Sequence, residues 1–422
     1  MTNQNPDTSS DANNAAMNQA MNPSMAPAEH IAPHAYAATA THESTAGFVA
    51  AGFAPKVAAI AAEAGQRLKF HGRSGFQAEL RRRVDEYFEK QGAKPRDCPQ
   101  MYVKTAVLMS GFVLAYILLV FVAQTWWQAI PAAIFLGLMT AGVGLNIQHD
   151  GGHCAGSSRA SVNRLIAMSL DVIGGISYMW HWKHSVFHHT YVNVTGHDTD
   201  IDFGAMARMT PHQKRYFFHR LQHYYIWFLY GLMAVRWHLL GDFQQLITGK
   251  ICEHTIPRPK GWDLVIFIAG KIVFLSLAFG IPLMLHPIWI VAIYYGVVAL
   301  VTGIVLSIVF QLAHCVEDAA FAMPSEETGQ IENAWAIHQV ESTVDFARRS
   351  KLAAWLLGGL NFQIEHHLFP RISHVNYPGI SRVVEQTCRD FGIKYNEHKT
   401  FWAGVISHVS WLRRMGMPTT GE

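Results

Sequence analysis

Charge is scarce in this 422-residue chain: Asp, Glu, Lys and Arg make up 15% of it, against 50% hydrophobic residues. A formal net charge of +3, with 24 histidines counted neutral, is too small to hold a nucleic acid, and no basic run is interleaved with aromatics. Cysteine is scarce as well. The five present (Cys98, Cys154, Cys252, Cys315 and Cys388) are far apart and form no CxxC pair. That argues against a disulfide scaffold or a zinc ribbon and suits a reducing compartment. Residues 1–65 lack the basic run and apolar core of a signal peptide. Lys56 is their only Lys or Arg, and Ala, Asn, Ser, Thr, Met and Pro dominate them. Such a stretch buries too little to fold, so we expect a disordered tail over 1–65.

What the chain does have is long apolar runs. A bilayer crossing takes roughly 20 apolar residues, and four runs qualify: 105–123, 130–147, 264–285 and 288–312. Short connections join the first to the second and the third to the fourth, so each pair reads as a hairpin. Trp126 and Trp127 in the first turn fit an aromatic belt. The expected fold is therefore an all-α integral membrane protein, with four transmembrane helices in two hairpins and a cytoplasmic helical cap that carries the histidine-rich site. We expect a pre-membrane helical segment over 66–104, a membrane domain over 105–400 and a C-terminal tail over 401–422.

Two hairpins put residues 66–104, 148–263 and the C-terminal part on one side. Arg81, Arg82, Arg83, Lys104, Lys183, Lys214, Arg215, Arg220 and Lys260 all fall there, and the opposite turns carry no Lys or Arg. The positive-inside rule then makes that side cytoplasmic, with both termini inside. Two weaker stretches, 165–180 and 226–235, are too short or too polar to span and read as interfacial helices. Lys271 is the lone ionisable residue within a span; it reads as snorkelling toward the starting end of its helix, with a functional role as the alternative.

The histidines cluster at the cytoplasmic ends of these runs. HDGGH (149–153) begins where the second run ends, HSVFHH (184–189) follows, His314 closes the fourth run, and QIEHH (363–367) comes about fifty residues later. On a helix, residues i and i+4 share a face about 5–6 Å apart, so His149 with His153, and His184 with His188, can meet at one metal or two neighbouring ones. One HxxxH pair is commonly two surface histidines. Three clusters and a lone histidine at one depth on one side point instead to a multinuclear metal site.

Imidazole suits Zn, Cu, Fe and Ni, so ligand type alone does not choose the metal. A structural zinc would be closed by four ligands, usually with cysteine. The chain has no HExxH and no ExxH, which removes the zinc protease and the carboxylate-bridged di-iron bundle. Eight histidines match two ions, and an all-nitrogen di-iron centre that activates O2 is what remains.

HDGGH, HSVFHH and QIEHH resemble the three histidine boxes of the integral-membrane fatty acid desaturases. The glutamine that opens the third box is similar to the front-end subgroup, which inserts a double bond between an existing one and the carboxyl end. The strings HHTYVNVTGHDTDID, FQLAHCVED, WAIHQVESTVDFA and GGLNFQIEHHLFPRISHVNYP carry the resemblance across residues 66–400, toward bacterial acyl-CoA or acyl-lipid enzymes.

The resemblance implies two iron ions held by His149, His153, His184, His188, His189, His314, His366 and His367. No catalytic residue is implied beyond these ligands. Gln363 stands where many relatives have a further histidine. His181, His338 and Gln339 are further candidates for the metal site or its surroundings. Asp150, Asp198, Asp200, Asp202 and Glu365 are candidates to accept ligand imidazole N–H groups. The chain has no HPGG, the mark of a fused cytochrome b5 domain. Electrons are therefore expected from a separate ferredoxin or cytochrome b5-type protein, with the lipid bilayer and a fatty acyl substrate as the other partners. The expected home is a bacterial inner membrane.

A membrane di-iron hydroxylase acting on an alkane, sterol or carotenoid is the nearest alternative, because it needs the same ligands. A membrane metal or haem transporter is more remote, since its ligands belong within the spans near mid-bilayer.

Overall fold

The computed structural model describes residues 68–72 and 75–418; the expected tail at 1–65 lies outside them. The described chain is mostly helical. Its β-structure among these residues is three two-residue pairings: Lys69–Phe70 with Gln330–Ile331, Lys250–Ile251 with His254–Thr255, and Asp345–Phe346 with Glu397–His398.

Four helices have the length and apolarity to cross a membrane: Pro99–Val122, Trp126–Gly152, Trp262–Leu283 and Ile288–His314. Each overlaps an apolar run of the sequence and extends beyond it at one end or both, the first and second by the most. The second helix continues through Gly152, because residues 143–152 stay helical beyond the apolar run. It begins at Trp126, where Thr125 and Gln128 form a capping box. Trp126 and Trp127 are exposed, as belt residues are.

Lys271 is a correction to the sequence reading. Its side chain does not reach for an end of its helix. It is buried, with Nζ 2.8 Å from Asp242 Oδ2. The carboxylate that makes this possible comes from a helix whose approach no local pattern announces.

The stretch around 226–235 is part of a longer helical run, Gln222–Arg236, Trp237–Gly241 and Asp242–Thr248. It buries Ile226, Tyr230 and Ala234, the first two packing with Ile304 and Ile308 of the fourth long helix. The segment expected as a tail is helical over Phe401–Gly416, capped by Thr400 accepting from the Ala403 amide at 3.0 Å. Its Trp411, Leu412 and Met415 join the same cluster. His408 of this helix reaches the carbonyl of Cys315 at 2.6 Å, directly after His314. A second cluster of Phe76, Leu80, Val84, Phe362, Ile364, Tyr377, Ile380 and Val384 packs helix Gly75–Gln91 and helix Tyr377–Asp390 around Gln363–Leu368. Both clusters brace the ends of the helices that carry histidine.

Candidate metal centre

The second long helix changes to a π-helix over Val143–Gln148 and delivers His149 immediately afterwards. Departures of this kind within α-helices are frequent at functional sites. His149 and His153 lie one turn apart with ring centroids 4.7 Å apart, as the spacing predicts. The two glycines between them are required by close approach. A Cβ on Gly152 would lie 2.2 Å from the Trp180 ring, and one on Gly151 would lie 2.6 Å from the Ala167 amide nitrogen. The indole of Trp180 in turn touches His149, His153 and His184, with centroids 5.7, 5.2 and 4.7 Å away.

HSVFHH sits on a second π-stretch, His181–His188. His184 and His188 remain neighbours at 5.0 Å; they enter different all-histidine groups and share a further one with Asp200. Ligand nitrogens of His149, His153, His184 and His366 all lie within 4.8 Å of one another, and so do those of His188, His314 and His367. His189, His366 and His367 form a further group at the same limit and link the two. All eight side chains are buried.

The ring nitrogens divide into two populations. The Nε2 atoms of His153, His184, His188, His366 and His367 are buried without a hydrogen-bond partner, and His189 leaves both ring nitrogens so. On four of these rings the opposite nitrogen is held. His188 donates from Nδ1 to Asp198 at 2.9 Å and His184 from Nδ1 to Asp200 at 3.2 Å. His367 donates from Nδ1 to the Gln339 side-chain oxygen at 2.9 Å, and His366 Nδ1 lies 3.3 Å from the Tyr377 hydroxyl. An N–H fixed at Nδ1 leaves a lone pair at Nε2, the arrangement of metal-bound imidazoles. A buried polar atom with no partner is costly, and six histidines that share the cost are explained by a cation between them. The all-nitrogen donor set fits a borderline transition metal.

Electrostatics agrees with neutral ligands. Burial, reinforced by neighbouring imidazoles, pushes His153, His189, His366 and His367 well below the usual histidine range. Burial takes His184 to about 4. His188 is the exception: burial lowers it, but the Asp198 carboxylate overcomes that and raises it. Burial would raise Asp200, but Lys183 at 2.7 Å and the His184 hydrogen bond hold it well below the ordinary carboxylate range.

The remaining sequence candidates have varied surroundings. Gln363 reaches His314, its side-chain nitrogen 2.9 Å from Nε2. Asp198 also accepts the Asn193 amide at 2.9 Å, while the Asn193 side chain spans the carbonyls of His314, Ala320 and Ser342. Asp150 engages no box histidine; it accepts from His374 Nδ1 at 2.9 Å, and His374 Nε2 lies 2.8 Å from Lys104 Nζ. Glu365 takes the Tyr395 hydroxyl at 2.9 Å. Burial and the nearby Asp345 raise its carboxyl well above the usual range. His338 holds the Val192 carbonyl at 2.9 Å, and His181 stacks edge-on against Trp182. Asp202 accepts the Gly204 amide. Trp180, Asn193, Lys183 and Tyr377 were not named as site residues from the sequence, although Trp180 lies four residues before His184, a spacing that stacks one ring over the other.

The family model for fatty acid desaturase matches residues 124–399. The chain is 38% identical over 350 residues to the sn-1 linoleoyl-lipid 6-desaturase of Arthrospira platensis, covering 81% of this chain and 93% of that protein. The chain belongs to the fatty acid desaturase family. A second relative, the sn-1 linoleoyl-lipid 6-desaturase of Synechocystis, is 36% identical over 352 residues, covering 83% of this chain and 98% of that protein. An acyl-lipid (8-3)-desaturase of Physcomitrium patens is 34% identical over 346 residues, covering 81% of this chain and 72% of that protein. This desaturase is a membrane enzyme, and its buried histidine groups fit a metal site.

Proposed function

We propose that this desaturase holds two irons through His149, His153, His184, His188, His189, His314, His366 and His367. It would use O2 to place a cis double bond in a long-chain acyl-lipid or acyl-CoA, on the carboxyl side of an existing double bond. The observation that carries the reading is the set of buried Nε2 atoms without partners, backed by a row of acceptors on the opposite nitrogens. The names of the cyanobacterial relatives favour a linoleoyl lipid and bond 6. The four spans would form two hairpins, with the histidine-bearing ends and both termini in the cytoplasm of a bacterial inner membrane. Residues 105–400 would form the membrane domain, with the helical segment 66–104 preceding it and 401–422 following it as the C-terminal segment.

Bound iron would supply the means to reduce O2 and to oxidise two adjacent methylenes; O2, two electrons, two protons and one hydrogen from each methylene give two waters and one new C=C bond. The chain's own residues do the rest. Asp198, Asp200 and Gln339 fix the imidazole tautomers, and Trp180 closes one side of the first histidine group against water. Between the four long helices lies a cavity of about 550 Å³, lined by Phe112, Leu136, Val172, Phe274 and Val298 among others, of a size and polarity to receive the chain's apolar part. Holding one C–C bond beside the metals is the positional work an enzyme of this kind performs. Electrons would come from a separate ferredoxin or cytochrome b5-type protein.

The test is to express the gene in a bacterial host, feed defined fatty acids and locate the new double bond by mass spectrometry. A cis bond near the carboxyl end is expected. Hydroxylated product alone would replace the desaturase chemistry with that of the hydroxylases, and a bond on the methyl side would overturn the front-end assignment.

A further inference from the structure

The cavity wall contains three interruptions of regular α-helix. π-Stretches occur at Leu118–Val122, Trp237–Gly241 and Ser276–Gly280, and each contributes lining residues: Leu119, Val120 and Phe121; His238; Leu277 and Ala278. A π-stretch shifts the backbone ladder and leaves carbonyls short of their usual partner. In an apolar setting such a carbonyl needs another donor. Each stretch has one. His286 Nε2 donates to the Val120 carbonyl at 2.8 Å, the Tyr116 hydroxyl to Leu277 at 2.9 Å, and Lys271 Nζ to His238 at 3.1 Å.

Lys271 does more than the other two. Its ammonium also donates to the Gly174 carbonyl at 2.8 Å and to Asp242 at 2.8 Å. It thereby ties the third long helix to the segment after the first histidine box and to the helical run around 237–248. All three elements line the cavity, through Phe274, through Val172 with Ile173, and through His238. There is no slack at this junction. Gly174 has φ +105°, and a Cβ there would lie 2.6 Å from the His238 ring and 2.7 Å from Phe274. On the cavity side, His238 Nδ1 lies 3.3 Å from the Tyr295 hydroxyl.

We propose that Lys271, with Tyr116 and His286, is a positioning residue that sets the shape of the acyl cavity by holding carbonyls released by π-helical stretches. The three side chains thus decide which chain lengths fit and how far a chain advances toward the histidines. This rests on the reading that the cavity receives the substrate's apolar part. A purely structural role predicts changes in yield; a positioning role predicts changes in selectivity. One methylene more or less in an apolar pocket is worth roughly tenfold or more in discrimination, so the effect is measurable.

The experiment uses the full chain, supplied with a series of acyl chains of graded length, and reads both the ratio of products and the double-bond position. Removing Lys271 alone leaves Asp242 as a buried unpaired charge, so the informative variant is Lys271→Met with Asp242→Leu, an apolar replacement of the pair. It is expected to insert, bind iron as wild type does, and shift the ratio between adjacent chain lengths by about tenfold. Tyr116→Phe, which keeps the ring and loses one hydrogen bond, is expected to shift it less in the same assay. A wild-type length profile and bond position in both variants would overturn the proposal. Should the double variant fail to insert, an unchanged profile in Tyr116→Phe and His286→Phe overturns it equally. Wild-type protein that makes no unsaturated product would instead remove the functional reading beneath it.

Discussion

The two ends of the helical bundle solve opposite problems. At the histidine end, buried polar atoms are gathered in excess, and four of the eight imidazoles are held on the opposite nitrogen by a named side chain. At the cavity end, the walls are apolar, and the few polar side chains satisfy the backbone. The first end fixes atoms; the second shapes space. A change at the histidine end should therefore cost chemistry, and a change at the cavity end should cost selectivity while chemistry persists.

The sharpest way to test that division is to remove one backing group. Asp198 is buried, holds His188 Nδ1 and the Asn193 amide, and has no place at the cavity. Asp198→Ala should lower iron affinity or turnover by roughly 10- to 100-fold, the usual cost of losing an acceptor behind a ligand imidazole. The length profile of whatever product remains should be unchanged. Iron content and turnover, measured beside the length profile of Tyr116→Phe, break the comparison if both variants change the same quantity.

Several buried polar side chains are histidines outside the metal groups. Burial takes His338 and His408 from 6.5 to about 4. Their folded-state values lie below the unfolded ones, so the unfolded chain binds more protons as pH falls through 6.5 toward 4, and stability is lost over that window. Asp345, raised by burial to about 6, and Glu365 act in the opposite sense, but the lowered imidazoles of the centre outnumber them. Chelator-treated protein in detergent should therefore melt at a lower temperature near pH 5.5 than near pH 7.5. An equal or higher melting temperature at the acid end would contradict the burial argument. The effect should be smaller than that of Asp198→Ala.

How much of this could be read from the sequence follows from the range of each interaction. The boxes were legible because i, i+4 spacing is local and because each box sits at the end of a long apolar run. Asp198 and Gln339 could be named as neighbours of the boxes, but which ring each supports could not. That His184 and His188 enter different all-histidine groups while sharing one with Asp200 was not legible, since it depends on a π-stretch that no residue pattern marks. Asp150 looked like a partner of its own box; it pairs with His374, 224 residues away. Lys271 looked like a snorkelling lysine because Asp242 is distant in sequence and approaches only in the fold. Gln363 stood out as a departure from histidine, and its contact with His314 required the fourth long helix to be in place.

The central claim is that the linked histidine groups hold two irons. Its most direct measurement is iron per chain in purified, active enzyme, compared with His314→Ala, which touches only one of the groups. The account predicts two irons per chain in wild type, with one weakened or lost in the variant along with activity. Full activity at one iron per chain, or an unchanged iron count in an active His314→Ala enzyme, would contradict it.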